Sequence, residues 1–104
     1  MKKTLYSIII PVYNGALTLS LLLKSIGDIE FNKDQFEITL IDNNSNDQSS
    51  DIIKNFISEN HTLKVQYLFF DKVQSSYAAR NHGVKHSKGD ILIFTDSDCR
   101  FDSK

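Results

Sequence analysis

Gly89-Asp90-Ile91-Leu92-Ile93-Phe94-Thr95-Asp96-Ser97-Asp98-Cys99 sets a run of branched and aromatic apolar residues directly before two carboxylates. Such a run reads as a buried strand, and the carboxylates fall where it leaves the core. In an extended chain Asp96 and Asp98 project to one side while Ser97 faces away. A carboxylate pair at a strand's carboxyl end suits Mg²⁺ or Mn²⁺, which takes one or two protein carboxylates and completes its shell with water and substrate phosphates. Asp and Ser are also common turn formers. This stretch alone does not choose between a metal site and a polar turn.

The segments before it supply a context. Ser7-Ile8-Ile9-Ile10-Pro11-Val12 is apolar without alternation, the pattern of a strand buried on both faces of a parallel sheet. Pro11 has no N–H for a ladder, so the strand is expected to end there, with Tyr13-Asn14-Gly15 as the turn. Leu19, Leu22, Leu23 and Ile26 then recur at helical spacing, predicting a helix over Ala16 to Ile26. Phe36 to Ile41 reads as a second strand. Asp42-Asn43-Asn44-Ser45-Asn46-Asp47 follows, a run of turn and N-cap formers. A helix over Gln48 to Glu59 would turn Ile52, Ile53, Phe56 and Ile57 inward. Leu63 to Phe70 alternates in its first half, as an edge strand with one wet face does. Ser75 or Ser76 would cap a third helix, Tyr77 to His86, in which Ala79 and Gly83 permit close approach to a sheet, and Gly89 would end it.

The resulting order, β-α-β-α-β-α-β, predicts an α/β fold with a mostly parallel sheet and right-handed crossovers. With the third strand at an edge, the economical order is 3-2-1-4. Connections from strand one and into strand four then leave on opposite sides, and a crevice opens between their carboxyl ends. Tyr13, Asn14, Asp42, Asn43, Asp96 and Asp98 would converge there, which favours a ligand site over a plain turn. The four glycines are scattered, with no Gly-rich phosphate loop, so a diphosphate would have to be held by a metal.

At 104 residues the chain is a single domain, and a net charge of −1 predicts no nucleic-acid partner. No apolar run reaches the length of a membrane span, and the apolar stretch after Lys3 runs into Pro11 rather than a cleavage site, so no signal peptide is read. One cysteine, Cys99, fits a reducing compartment. His82 and His86 have the spacing of a metal pair but lack an evident third ligand, and His86 is explained as a cation at a helix end.

Four of these stretches together, Ser7 to Asn14, Leu40 to Asp47, Ala79-Arg80-Asn81-His82-Gly83 and Gly89 to Asp98, resemble family 2 glycosyltransferases. The resemblance covers nearly the whole chain. It implies the nucleotide-binding half of a GT-A fold, a Rossmann-like three-layer sandwich. It also implies an inverting transferase that uses a nucleotide-sugar donor, a UDP-sugar being expected, with Mg²⁺ or Mn²⁺. Matched residue by residue, Pro11 and Tyr13 fall where the family packs the nucleobase, with Tyr13 stacking on it. Asn43 matches the second position of an acidic pair that contacts the base edge. Here it is an amide, which can both donate and accept. Arg80 matches the basic residue that approaches the diphosphate, Asp96 the first DxD position near ribose and metal, and Asp98 the metal ligand proper.

In the family the chain continues past DxD into segments that bind the acceptor and supply the general base. No catalytic residue is therefore assigned within the sequence, and the general base is expected beyond Lys104. Residues 1–104 are expected to be the donor-binding portion and inactive alone. The complete enzyme would take a saccharide or lipid-linked acceptor in surface polysaccharide or glycoconjugate synthesis. It would be cytoplasmic, with membrane association in the complete protein. A non-catalytic nucleotide-sugar-binding module or a gene remnant is the alternative. An uncovered edge on strand four would favour self-association through Asp90 to Thr95.

Overall fold

An unbroken run of isoleucines places β1 (Tyr6–Val12) inside the sheet rather than at its edge. The computed structural model describes residues 4–28 and 32–95. Within them β1 is followed by α1 (Ala16–Gly27), β2 (Phe36–Asp42), α2 (Ser49–Glu59), β3 (Lys64–Phe69), α3 (Ser76–Lys85) and β4 (Ile91–Phe94). The four strands form one sheet in the order β3-β2-β1-β4, with every neighbouring pair parallel. The expected order 3-2-1-4 is therefore the observed one. Val12 stands opposite Asp42 and Ile9 opposite Phe94, which brings the carboxyl ends of β1, β2 and β4 to one side of the molecule.

Alternation of side chains divides the core between the two faces. Ile8, Ile10, Val12, Phe36, Ile38 and Leu40 pack against Leu19, Leu22, Leu23 and Ile26 of α1 and Ile53 and Phe56 of α2. On the other face Ile9 and Ile41 meet Ala79 of α3, with Leu68, Phe70 and Val84 partly buried around them. Gly83 allows that helix to lie so close. A methyl group there would stand 2.6 Å from Ile41 Cδ1 and 2.9 Å from Ile9 Cγ2.

The differences from the sequence reading have local causes. Pro11 does not end β1, which runs one residue further. Ile9 gives its carbonyl to the Thr95 amide at 3.2 Å, so Pro11, two residues on, faces the same side. The β1–β4 register ends at Ile9 and Phe94. Among the described residues, the N–H that Pro11 lacks therefore falls beyond the paired register. The third helix begins at Ser76, because the Ser75 hydroxyl accepts the Ala78 amide at 3.3 Å and makes Ser75 the cap. It ends at Lys85, before Gly89.

Gly89 serves instead as a point of close approach. Its amide donates to Ser7 Oγ at 2.8 Å, and a side chain there would collide with Ser7. Ser7 Oγ in turn donates to Glu37 Oε2, which also accepts the Lys88 amide at 2.7 Å. This small network ties the approach to β4 onto the amino ends of β1 and β2. On the edge strand β3, Gln66 is half-buried like its neighbours, so the wet face is less open than the alternation suggested.

Candidate functional site

At the carboxyl ends of β1 and β2 the two turns are laced together by side chains. Asn14 adopts a left-handed conformation (φ 48°), as does Asn44 (φ 64°), a region Asn tolerates better than most residues. The Asn14 amide donates to Ser45 Oγ at 3.0 Å, and Asn14 Oδ1 accepts the Asn46 amide at 2.7 Å. The Gly15 amide donates to Ser49 Oγ at 3.1 Å, and the Ala16 amide to Asp47 Oδ2 at 3.1 Å. Asp47 Oδ1 accepts both the amide and the hydroxyl of Ser49. Burial would push the Asp47 carboxyl up, but the bonds from the Ser49 hydroxyl and from the Ser49 and Ala16 amides outweigh it and hold it below the usual carboxylate value.

One acidic side chain thus serves the first turns of both α1 and α2. The amino end of a helix following a first strand is a ready anion site. Here the Gly15 and Ala16 amides at the start of α1 already have side-chain acceptors, which adds a structural reason to the missing glycine-rich loop.

Asp42 lies beneath this lacing, only 2% exposed. Its Oδ1 accepts the Ser45 amide at 2.9 Å and its Oδ2 the Tyr67 hydroxyl at 2.9 Å. Burial first, then the bond to Asp42 and its charge, push the Tyr67 phenol up to about 12. Asp42 is therefore committed to the interior and does not face the cleft.

Tyr13 stands at the rim, 43% exposed. Pro11, Val12, Tyr13, Asn43, Gln74, Ser75 and Ser76 line a cleft of about 260 Å³. A second hollow of about 120 Å³, lined in part by Asn44, Asn46 and Asp71, shares Tyr13, Asn43 and Gln74 with the first. The structure therefore brings together Pro11, Tyr13 and Asn43 as the sequence placed them.

The Asn43 amide is already engaged. Its Nδ2 donates to the carbonyls of Phe70 (2.9 Å) and Val73 (3.0 Å), and its Oδ1 accepts the Ser75 amide at 2.8 Å. Both donors are used, and one Oδ1 lone pair remains for anything in the cleft. The amide that was expected both to donate and to accept toward a base edge has only acceptance left.

Arg80 sits farther along α3, its guanidinium 5.4 Å from the ring centroid of Phe94. Its Nε is buried and has no hydrogen-bond partner among the described residues. Asp96, Ser97, Asp98 and Cys99 lie outside the described residues. Lys104, beyond which the general base is expected, lies outside them as well. Among the described residues no group of three or more His, Cys, Asp or Glu side chains is placed to hold a metal ion. The His82 and His86 rings meet at a tilt, 4.7 Å between centroids, with Phe70 tilted against His82 at 5.0 Å.

Two features of this region escaped the sequence reading. The shared cap at Asp47 was visible only as a run of turn formers. Gln74 carried no signal, since it belongs to no periodic pattern.

A family model described as Glycosyl transferase family 2 matches residues 7–104. Glycosyltransferase AglE of Haloferax volcanii is 39% identical over 93 residues, covering 89% of this chain and 30% of that protein. Among solved structures, Staphylococcus aureus TarS 1–349 in complex with UDP superposes with a TM-score of 0.86 at 25% identity, over 96% of this chain and 29% of that one. The mannosyltransferase PcManGT of Pyrobaculum calidifontis, in complex with GDP-Man and Mn²⁺, superposes with a TM-score of 0.90 at 21% identity, over 97% of this chain and 29% of that one. The second likeness shows a shared fold. The chain spans about 30% of the length of these relatives. No helix among the described residues is long and apolar enough to cross a membrane.

Proposed function

The chain belongs to glycosyltransferase family 2, and from that premise we propose that it binds the donor of an inverting transfer from a nucleoside-diphosphate sugar to an acceptor hydroxyl. The observation that carries this reading is the cleft beside Tyr13 at the carboxyl ends of β1 and β2, where open α/β sheets take their ligands. Tyr13 offers an exposed aromatic face on which a base stacks, and Pro11 lines the cleft with it. Asn43 borders the base and accepts through its remaining Oδ1 lone pair. Arg80 supplies positive charge toward the diphosphate. A buried Nε donor without a partner among the described residues is costly, and an anion would offset that cost.

Asp96 and Asp98 would hold Mg²⁺ or Mn²⁺, two carboxylates being a donor set that suits a hard cation. When bound, the ion would act as a Lewis acid that neutralises charge on the departing nucleoside diphosphate. Its place in this proposal rests on the chemistry of that pair, since the described residues hold no ligand set of their own. A UDP-sugar is the proposed donor, in keeping with the UDP held by the TarS structure. A saccharide or lipid-linked acceptor, a role in surface polysaccharide or glycoconjugate synthesis, and a cytoplasmic site with membrane association of the whole protein are further parts of the reading. No described residue is assigned as general base, and the reading puts that base beyond Lys104. Residues 1–104 are read as the donor-binding portion.

Thermal unfolding with UDP tests this. UDP should raise the melting temperature more with Mn²⁺ than with chelator, by mass action, and Asp98→Ala should remove the metal-dependent increment. Tyr13→Ala should weaken binding by about 1–3 kcal/mol, the range for base–aromatic stacking, with Tyr13→Phe nearly neutral. Equal shifts with and without metal would end the metal assignment, and an unaffected Tyr13→Ala variant the stacking one.

A further inference from the structure

If a base stacks on Tyr13, its polar edge must meet donors and acceptors from the cleft wall. Asn43, the residue that the family resemblance puts there, has no donor left. Its three hydrogen bonds go to Phe70, Val73 and Ser75, on either side of Gln74. The Ser75 hydroxyl accepts the Ala78 amide to cap α3, which leaves it a single proton to donate. The polar groups of the wall are thus largely spent on holding the β3–α3 connection in shape. Gln74 is different. It is exposed, its amide makes no hydrogen bond among the described residues, and it lines both hollows that meet at Tyr13.

We propose that Gln74 is the residue that reads the base edge, with its loop fixed from beneath by Asn43. This rests on the nucleotide-binding reading above and extends it from the stacking face to the specificity contact. A primary amide presents one acceptor and two donors. Against uracil, Oε1 accepts from N3–H while Nε2 donates to O4. The unused Oδ1 lone pair of Asn43 can accept from a neighbouring donor but cannot replace the Nε2 donor. Because the backbone on both sides of Gln74 is pinned, its side chain springs from a fixed point beside the cleft, which narrows where its amide can meet a base.

The test is a specificity switch, read by calorimetric titration of the chain with UDP and GDP in the presence of Mn²⁺. Gln74→Ala should weaken UDP about tenfold, the low end of the range for a two-bond base contact, and leave the metal-dependent increment intact. Gln74→Glu replaces the amide donor with a second acceptor. It should repel uracil O4 and match the adjacent N1–H and N2–H donors of guanine, so the UDP-to-GDP preference should move toward GDP by about tenfold or more.

Gln74 has no hydrogen bond to lose, so both variants should fold, and an unchanged melting temperature without nucleotide checks this. If UDP binds, and Tyr13→Ala weakens it, while both Gln74 variants keep the wild-type affinity and base preference, the assignment of Gln74 is overturned and the nucleotide site stands. Failure of the wild-type chain to bind any nucleotide overturns both.

Discussion

The two faces of the sheet are built differently. On one, α1 and α2 cover Ile8, Ile10, Val12, Ile38 and Leu40, all of them at least nine-tenths buried. On the other, α3 is the one helix among the described residues that covers Ile9 and Ile41, and the outer residues of β4 are left partly open, Leu92 at 38% and Phe94 at 47% exposed. The first face is where the apolar periodicity of both amphipathic helices is used up, so it carries most of the hydrophobic stabilisation. The second holds Asn43, Gln74, Ser75 and Arg80. The proposed donor site therefore occupies the thinner side, where side chains remain free to meet a ligand. Such low-density regions are where local opening is easiest.

Paired truncations test that contrast with the largest effect. Ile10→Ala and Ile9→Ala remove the same atoms from positions that are both fully buried, one on each face. A buried Ile→Ala change costs about 2–5 kcal/mol, depending on how far the surroundings collapse into the cavity. Ile10 should fall toward the upper end, since two helices hold its neighbours apart. Ile9 should fall toward the lower end, because α3 can settle onto the sheet. Denaturant titration of both variants checks it. Equal losses would mean the two faces are equally rigid.

A middle-sized effect concerns the open edge of β4. Among the described residues no strand pairs on its outer side, and Ile91, Leu92 and Phe94 are exposed there. An uncovered apolar edge favours pairing with another chain. Sedimentation velocity should show association that rises with concentration, and Leu92→Lys should weaken it by about tenfold, or 1.4 kcal/mol. A monomer at all concentrations would show that the thin face does not need a partner.

Most of the fold was legible because it follows from periodicity. Ile8-Ile9-Ile10 could only be an interior strand, and Leu19, Leu22, Leu23 and Ile26 only one face of a helix. Placing the third strand at an edge then left few topologies. The site was legible only as far as its aromatic and ionisable residues. The convergence of Tyr13 and Asn43 at one cleft was legible, but the partners of Asn43 were not. Two of its three hydrogen bonds go to carbonyls and one comes from an amide, all of them 27 to 32 residues away in sequence. Backbone groups leave no mark on the amino-acid sequence. Asp47 eluded the reading for the same reason: its bond to the Ala16 amide spans 31 residues and is set by how two turns face each other.

The smallest effect is a pH dependence confined to the thin face. His82 is half-buried on α3, against the Phe70 ring on one side and the His86 ring on the other. Burial, and then the positive charges of His86, Lys85 and Lys72, lower its pKa from the ordinary 6.5. In the unfolded chain the imidazole takes its proton near that ordinary value, so below it the unfolded state binds more protons and stability rises with pH. The His82 contribution is therefore complete above about pH 6.5 and is lost as pH falls through the lowered folded value. Denaturation midpoints in the wild-type chain should drop as the pH is taken below about 6.5. His82→Leu keeps an apolar contact with Phe70 and should flatten that slope. His86→Ala should flatten it partly, by removing the nearest positive charge while leaving burial in place. If the wild-type and His82→Leu profiles run parallel, the acid sensitivity belongs to carboxylates elsewhere, such as Asp47, whose lowered pKa also makes stability fall with acid but at lower pH.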